Sequence, residues 1–177
     1  MQYISYYDSP LGRLLLAADE EGLVGAWFEG QKYFARGLAK ECEERETPTL
    51  AAAKRWLDVY FSGREPDISV PLHLSGTAFQ KEVWQILCGI PYGETTTYGK
   101  ITKKMEERDG RACVSARAVG GAVGHNPVSV IVPCHRVVGA DGRLTGYAGG
   151  LERKARLLAL EKAGGKPLHF PSKGEAL

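Results

Sequence analysis

The chain has 177 residues, 44% of them hydrophobic and 25% charged, which is the composition of an ordinary globular protein of one or two domains. It contains no apolar run near the roughly 20 residues of a membrane-spanning helix and no secretory signal, so we expect no membrane association. Four widely spaced cysteines without a Cys-x-x-Cys pair predict free thiols, no metal site and a reducing, cytoplasmic location.

The net charge of +2 is distributed unevenly along the chain. Residues 1–75 carry a net charge of −4, whereas residues 76–165 carry +5. A basic second half is consistent with an anionic partner such as nucleic acid. A chance imbalance across solvated surfaces is the alternative, and charge alone does not decide between them.

Residues 1–75 are expected to form a small α/β domain that ends in a linker. A helix is predicted over Thr47–Phe61, with Thr47 as its cap and Pro48 in its first turn. Residues 64–76 have prolines and no helical period, which predicts a linker to a second domain over residues 76–177. Three alternating segments separated by turn signals predict the strands of an antiparallel sheet: Tyr3–Tyr7, Arg13–Ala18 and Leu23–Phe28.

The second domain begins with three predicted helices that resemble a helix-turn-helix. The first starts at the capping box formed by Thr77 and Gln80 and ends near Gly89. The second runs from about Tyr98 to Glu107, and the third starts near Ser115. The charged connection between the last two helices is longer than the usual turn.

The third helix has almost no bulky side chains. Each glycine in it costs roughly 1 kcal/mol of helix propensity relative to alanine, so its composition needs a reason. Close packing against another helix is one explanation, and close approach to a ligand such as a nucleic-acid strand is the other. Arg117, a single long side chain among small ones, favours the second explanation.

The segment after this helix leads to a cysteine beside a histidine. Asn126-Pro127 is expected to end the helix as a structural turn, because the residue before proline disfavours helix. Residues 127–132 are apolar and largely β-branched, which predicts a buried strand that carries Cys134 and His135. A thiolate is a nucleophile, and a neighbouring base raises its population, although most cysteines are simply buried small hydrophobes.

The last predicted element is a helix over Leu151–Ala163 that ends at Gly164-Gly165. Before it lie a hairpin-like turn at residues 139–142 and a flexible loop at residues 146–150. Glu161 falls in the last helical turn, where a carboxylate opposes the helix dipole. It is either solvated surface, which the residues alone favour, or a group held there to orient a histidine.

Taken in order, these motifs closely resemble the O6-alkylguanine-DNA alkyltransferases over roughly residues 76–163. The resemblance implies an α+β fold, with a ribonuclease-H-like N-terminal α/β domain and a mostly helical, winged-helix-like DNA-binding and active-site domain. It also implies DNA repair by single-turnover transfer of an alkyl group from O6 of guanine, with O4-alkylthymine as a further candidate lesion. The motifs that carry the resemblance are Arg117–Ala122, Asn126-Pro127, Ile131–Gly139, Gly146–Leu151 and Glu161.

The resemblance assigns roles to four residues around the cysteine. Cys134 is similar to the alkyl acceptor, and His135 to the family histidine that takes the thiol proton through a water. Glu161 matches the carboxylate that orients the histidine, the logic of a catalytic triad. Asn126 is similar to the hinge that joins the recognition helix to the active-site segment.

The resemblance further implies contacts with DNA that has its target base flipped out of the stack. Arg117 is similar to the finger that fills the vacated space, and Tyr98 to the tyrosine that crowds the phosphate and contacts the base. The implied partner is double-stranded DNA containing O6-alkylguanine, bound by a monomer without cofactor or metal. Small residues that let the helix approach a minor groove are Ser115, Ala116, Ala118 and Gly121. Pocket residues implied by the resemblance are Tyr98, Tyr147, Ala148 and Gly149, with the carbonyls of Cys134 and Val137.

Two other function classes remain open at this point. A thiol hydrolase using Cys134 and His135 would turn over repeatedly and would need an oxyanion hole. A non-enzymatic helix-turn-helix regulator would leave Asn126, Cys134 and Glu161 without a role. Ser129 and the small Ala148–Gly150 loop suggest room for alkyl groups larger than methyl.

Overall fold

The computed structural model describes residues 1–110 and 113–162. The described residues divide into two compact units, one formed by Met1–Gly76 with Pro127–Ile131 and the other by Thr77–Asn126 with residues 132–162. The chain therefore leaves the second unit after Asn126, contributes five residues to the first, and returns at Val132. Nothing in the sequence predicted this excursion. Within the described residues, no helix has both the length and the apolar character to cross a bilayer.

The first unit is built on a four-stranded sheet in the order β3-β2-β1-β4. The pairs β1/β2 and β2/β3 are antiparallel, which confirms the predicted antiparallel sheet. The short β4 adds a parallel edge to β1 that the sequence did not predict, because three residues with two glutamates carry no alternation signal. The strands are β1 (Gln2–Ser9), β2 (Gly12–Ala18), β3 (Leu23–Phe28) and β4 (Cys42–Glu44).

Helix α1 (Pro48–Phe61) has the predicted N-terminus. The Thr47 hydroxyl accepts the Leu50 N–H at 3.2 Å, and Pro48 occupies the first turn, where no N–H partner is needed. Leu50, Ala53 and Leu57 are fully buried. Spaced three and four residues apart, they form the apolar stripe expected from the sequence.

The edge strand β3 is covered by two irregular segments of the same unit. The Leu23 N–H donates to the Pro71 carbonyl at 2.7 Å, and the His73 N–H donates to the Leu23 carbonyl at 2.9 Å. The Ala26 N–H donates to the Pro127 carbonyl, and its own carbonyl accepts the Ser129 N–H, both at 2.9 Å. Residues 71–73 are thus part of the first unit rather than a free linker, and the exposed backbone of an edge strand is satisfied.

The second unit is mostly helical, as predicted. Its capping box is confirmed, since the Thr77 hydroxyl accepts the Gln80 N–H and the Gln80 side chain accepts the Thr77 N–H. The two short strands pair in parallel through Thr96 and Val137. The elements are α2 (Ala78–Cys88), β5 (Thr96–Thr97), α3 (Tyr98–Asp109), α4 (Ala116–Gly124), β6 (Val137–Val138) and α5 (Leu151–Leu160).

The predicted strand before Cys134 is wrong. Val128 makes a single bridge to Ala26, and the chain then turns sharply, with the Ile131 N–H donating to the Ser129 carbonyl at 2.9 Å. Between them Val130 has φ +70°, a strained conformation for a β-branched residue, and it is fully buried. The β-branched apolar run correctly predicted that most of residues 127–132 are buried. Burial alone does not make a strand, because a strand also needs continuous pairing with a neighbour.

The last helix is also shorter than predicted. Helix α5 ends at Leu160, and Glu161 is its C-cap. Ala163 and the predicted terminators Gly164-Gly165 lie outside the described residues. The hairpin-like turn after Val138 is present, because the Gly142 N–H donates to the Gly139 carbonyl and the Gly139 N–H to the Arg143 carbonyl.

Candidate active site

Cys134 opens a 3₁₀ turn (Cys134–Arg136) and is 5% exposed. Its N–H donates to the Val132 carbonyl at 2.8 Å, and its carbonyl accepts the Val137 N–H that closes the turn. All four cysteines are free thiols, and Cys134 is the buried one. The turn therefore fixes a thiol in the interior of the second unit.

The surroundings of the Cys134 sulfur act on its pKa in opposite directions. Burial raises the pKa of the thiol, and this effect dominates. A hydrogen bond with the Asn126 side chain, the positive charge of Lys154 and the N–H groups of Cys134 and His135 all favour the thiolate. Cys134 is therefore a protonated thiol at rest. The groups that would stabilise its thiolate are already in position around the sulfur.

His135 and Glu161 form a buried pair beside the cysteine. His135 Nε2 lies 2.5 Å from Glu161 Oε2, and neither side chain is exposed. Burial lowers the pKa of His135, although the carboxylate opposes this, so the imidazole is neutral near pH 7. With Nε2–H donating to Glu161, Nδ1 is the basic nitrogen. The pair is a base with an orienting carboxylate.

Three groups hold the Glu161 carboxylate in place. In addition to His135, the Arg136 Nε donates to Glu161 Oε1 at 2.8 Å, and the Gly93 N–H donates to the same oxygen at 3.1 Å. The Arg136 Nη1 also donates to the Ile90 carbonyl at 2.7 Å. The solvated position favoured by the residues alone is thus wrong. The neighbouring guanidinium, which is distant in sequence, offsets the unfavourable helix dipole.

Lys154 is a site residue that the sequence reasoning missed. Its side chain is fully buried, and Nζ donates to the Thr145 carbonyl at 2.5 Å and to the Gly146 carbonyl at 3.4 Å. Burial lowers its pKa to about 8, while the charge of Cys134 acts to raise it. The signal was its place on α5, three residues after Leu151 and four before Leu158, on the apolar face.

Asn126 joins the end of α4 to the segment that carries the cysteine. Its Nδ2 donates to the Val132 carbonyl at 2.9 Å, and its side chain also hydrogen bonds with Cys134. Asn126 can make these contacts because it follows the C-cap of α4, His125, and so lies outside the helix. Asn126 therefore does more than end α4, which is all that the residues alone favoured.

Tyr98, the first residue of α3, is half-buried near the same cluster. Burial raises the pKa of its hydroxyl, and the charge of Cys134 adds to that rise, while a hydrogen bond with Thr145 opposes it. The Thr145 hydroxyl donates to Tyr98 Oη at 3.2 Å. A Cβ added at Gly120 of α4 would lie 3.9 Å from the Tyr98 ring, an ordinary van der Waals distance, so the ring lies beside α4 without requiring glycine there.

Helix α4 buries one face and exposes the other. Val119, Ala122 and Val123 are buried, and the Trp84 Nε1 donates to the Ala122 carbonyl at 2.8 Å. A Cβ added at Gly121 would meet nothing within 4 Å, so packing does not require glycine there. The small residues predicted to face DNA all lie on the exposed side with Arg117: Ser115, which also caps the helix, Ala116, Ala118 and Gly121.

The remaining predicted pocket residues lie in the loop before α5 and at the start of β6. Tyr147 and Ala148 are half-buried, Gly149 is buried, and Val137 is fully buried in β6. The Gly150 N–H donates to the Tyr147 carbonyl at 2.9 Å, which folds the loop into a turn. The Cys134 carbonyl already accepts one N–H, but a carbonyl has two lone pairs and can accept another. Within residues 1–110 and 113–162, no group of metal-ligating side chains comes together.

Both units match domains of one protein family. Residues 2–74 match the ribonuclease-like domain of 6-O-methylguanine DNA methyltransferase, and residues 78–163 match its DNA binding domain. The chain belongs to the 6-O-methylguanine DNA methyltransferase family. The predicted family and fold class are confirmed.

Similar members of this methyltransferase family come from distant organisms. The chain is 43% identical to the methylated-DNA–protein-cysteine methyltransferase of Haemophilus influenzae, with 90% of this chain and 86% of the relative covered. It is 45% identical to the protein of that name from Methanosarcina acetivorans, with 90% and 97% covered. A Mycobacterium tuberculosis OGT structure in complex with DNA has a TM-score of 0.76 at 42% identity, covering 92% of this chain and 96% of that one.

Proposed function

We propose that this chain repairs DNA by moving one alkyl group from O6 of guanine to the sulfur of Cys134. The observation that carries the proposal is the buried thiol with the neutral imidazole of His135, the Glu161 carboxylate and the Lys154 charge around it, in the unit that matches a DNA binding domain. Alkyl transfer needs a soft nucleophile, and a thiolate in a preformed polar setting meets that need.

The proposed reaction is a displacement at the alkyl carbon. The Cys134 proton moves to His135, and Glu161 stabilises the imidazolium that forms. The sulfur then forms a bond to the alkyl carbon while the carbon–O6 bond breaks, and its electron pair moves onto the guanine. The guanine anion takes up a proton, and Cys134 becomes a thioether. Because a thioether is a poor leaving group, each chain reacts once.

DNA contact is assigned to the exposed face of α4. Arg117 enters the duplex in place of the target base, and the small side chains around it allow the helix backbone to approach the minor groove. Tyr98 contacts the extruded nucleotide. Asn126 couples the end of α4 to the cysteine segment, since its side chain contacts both Val132 and Cys134.

The loop at Tyr147, Ala148 and Gly149 borders the alkyl group, and the carbonyls of Cys134 and Val137 accept from the guanine amino group. The small side chains in this loop leave room for alkyl groups larger than methyl and for O4-alkylthymine. Every residue assigned to the transfer lies in one chain, so the protein is proposed to act as a monomer. A reactive thiol also needs the reducing conditions of the cytoplasm.

The direct test is an intact-mass measurement after reaction with a duplex that contains O6-methylguanine. The expected result is a single gain of about 14 Da, located on the Cys134 peptide, with no second turnover. Cys134→Ser is expected to gain nothing, and Cys88→Ser is the matched control, because its exposed thiol should not matter. Repeated turnover, or mass on another residue, would contradict the proposal.

A second test separates DNA entry from thiol chemistry. Arg117→Ala should react normally with free O6-benzylguanine but at least about 10-fold more slowly with a duplex substrate, because extrusion of the base loses its replacement. Arg55→Ala removes one exposed positive charge from α1 and is the control. Equal duplex rates for Arg117→Ala and the wild type would exclude the finger role.

A further inference from the structure

We propose that Thr145 is a positioning residue that presents the Tyr98 hydroxyl to the departing base as a hydrogen-bond donor. This inference rests on the proposed alkyl transfer and adds a residue to it. Neither the helix pattern nor the motif order pointed to Thr145. Its hydroxyl contacts Tyr98 and its backbone carbonyl contacts Lys154, which are two different members of the site.

The Tyr98 side chain lies beside two glycines. A Cβ built on Gly120 would lie 3.9 Å from the ring carbons, and one built on Gly146, which has φ +30°, would lie 3.9 Å from the hydroxyl. Tyr98 is also the first residue of α3, directly after the Thr97 cap, whose hydroxyl accepts the Lys100 N–H at 3.2 Å. From this position the Tyr98 hydroxyl contacts the hydroxyl and the carbonyl of Thr145, and these contacts bear on the rotation of its O–H bond.

Thr145 acts on that rotation. Its hydroxyl donates to Tyr98 Oη at 3.2 Å and so occupies an acceptor position of the phenol oxygen. The Thr145 carbonyl lies 3.5 Å from the same oxygen, at the outer limit of a hydrogen bond. That carbonyl already accepts from the Lys154 Nζ at the much shorter distance of 2.5 Å. The phenolic hydrogen is therefore weakly held by the protein and can donate to a substrate.

The consequence for the reaction is electrostatic. When the carbon–O6 bond breaks, its electron pair moves onto the guanine, and a positioned donor stabilises the charge that develops there. Accepting a hydrogen bond from Thr145 makes the Tyr98 hydroxyl a stronger donor, because chained hydrogen bonds polarise one another. The phenol keeps its proton throughout, so this contribution requires no other reactant.

The test is a double-mutant cycle measured by the rate of mass gain on Cys134 with an O6-methylguanine duplex. Thr145→Val keeps the shape and the backbone carbonyl but removes the hydroxyl, and should slow transfer by about 3- to 10-fold. Thr145→Ser retains the hydroxyl and should restore a rate close to that of the wild type. In a Tyr98→Phe background, Thr145→Val should have no further effect, because the partner of the hydroxyl is gone.

Thr102→Val is the matched control, since it removes another hydroxyl, one that donates to the Gly99 carbonyl within α3. Thr145→Ala serves as a second hydroxyl-free variant in case Thr145→Val folds poorly. Equal rates for Thr145→Val and the wild type, or the same slowing in both backgrounds, would overturn this inference alone. A wild-type protein that gains no mass on Cys134 would overturn the proposed function and this inference together.

Discussion

The two units differ in the polar groups that they bury. In the described residues, the buried polar side chains of the first unit are Gln31 and Ser129, both uncharged. In the second unit, besides Asn126, they are His135, Arg136, Lys154 and Glu161, all of which are ionisable. The interior of the first unit is therefore almost entirely apolar, whereas the second unit holds several titratable groups away from water.

The difference in buried polar groups indicates that the first unit is mainly structural and that the second unit holds the reactive groups. Taking a charge out of water costs several kcal/mol even in a relaxed protein, so such groups persist only with excellent partners. Arg136 and Lys154 donate to backbone carbonyls, and Glu161 accepts from three groups. A fold that needed only stability would be served as well by apolar residues. We therefore expect substitutions among these four charged or ionisable residues to change the transfer rate by more than their packing alone would explain.

The largest effect is expected for Glu161→Gln. The substitution leaves the buried Arg136 guanidinium without its counter-charge and His135 without a stabilising carboxylate. The free energy of unfolding should fall by about 3–5 kcal/mol, and the transfer rate of the folded protein by at least about 100-fold. Chemical denaturation and single-turnover kinetics measure the two effects. Glu152→Gln, on the exposed side of α5, is the control, and a Glu161→Gln protein with wild-type rate would refute the pairing with His135.

Lys154→Met should separate rate from stability. Losing the cation beside Cys134 makes the thiolate more costly, so transfer at pH 7 should slow by about 10-fold. Because the pKa of Lys154 is lowered to about 8, the cation is present below that pH and lost above it. The difference in rate between wild type and variant should therefore shrink as pH rises through 8. Stability should not fall, since burying a cation is itself unfavourable.

The pH profile of Lys154→Met is the informative measurement. A constant ratio of rates between pH 6.5 and 9.5 would mean that the lysine charge does not act on the thiol. Arg156→Met, on the exposed side of the same helix, controls for loss of a positive charge.

In the first unit, Gln31→Ala should affect stability alone. The Gln31 Oε1 accepts the Phe28 N–H at 2.8 Å and the Ser129 hydroxyl at 3.2 Å. Removing this buried acceptor should cost about 1–3 kcal/mol in the free energy of unfolding, measured in urea. The transfer rate per folded molecule should stay unchanged. Gln85→Ala, exposed on α2, is the control, and a Gln31→Ala protein that is stable but slow would show that the first unit contributes to the chemistry.

The smallest effect is expected at the hydrogen-bonded pair of Asp19 and His73, whose Oδ2 and Nδ1 lie 2.6 Å apart. Burial alone would raise the pKa of Asp19, but hydrogen bonds from His73 and from the N–H groups of Glu21 and Gly22 lower it below its ordinary 3.8. A depressed carboxyl pKa stabilises the fold above pH 3.8 and ceases to do so as the pH falls through the folded-state value.

Asp19→Asn should accordingly lower the free energy of unfolding by about 0.5–1 kcal/mol at pH 7, because the pair is partly exposed. The difference from the wild type should shrink as the pH falls below the ordinary carboxyl pKa of 3.8 and vanish below the folded-state pKa. Thermal unfolding at pH 7 and pH 3 provides the comparison. A deficit that persists unchanged at pH 3 would mean that the side-chain shape rather than its charge matters.

Local signals predicted the regular elements well. Thr47, Thr77 and Ser115 each cap the helix that they were expected to start, because a cap depends on residues within one turn. The predicted strand before Cys134 was wrong because the structure of that segment depends on a contact distant in sequence. Residues 127–131 follow β3 of the first unit, a partner about 100 residues earlier in the chain, and no local pattern encodes that contact.

The candidate site shows the same division. Cys134 and His135 stood out because they are neighbours in sequence, and Glu161 was included through the resemblance to a family. Arg136 was noticed only as a neighbour of the cysteine, and its contact with Glu161 was not foreseen. Lys154 and Thr145 were missed, because a lysine on an apolar helix face and a threonine in a loop have ordinary local explanations.

Short-range patterns were enough to predict the helix starts, the three antiparallel strands, the run of small residues in α4 and the family. These depend on short-range periodicity, capping and motif order, all of which are written within a few residues of each other. The protonation of the site follows from the folded chain alone, because a pKa depends on burial and on charges brought together from distant positions. In the folded chain, Asn126, Thr145 and Glu161 lie beside the reactive groups. Cys134 is there a protonated thiol, His135 is a neutral imidazole, and Lys154 is a cation whose pKa is lowered to about 8.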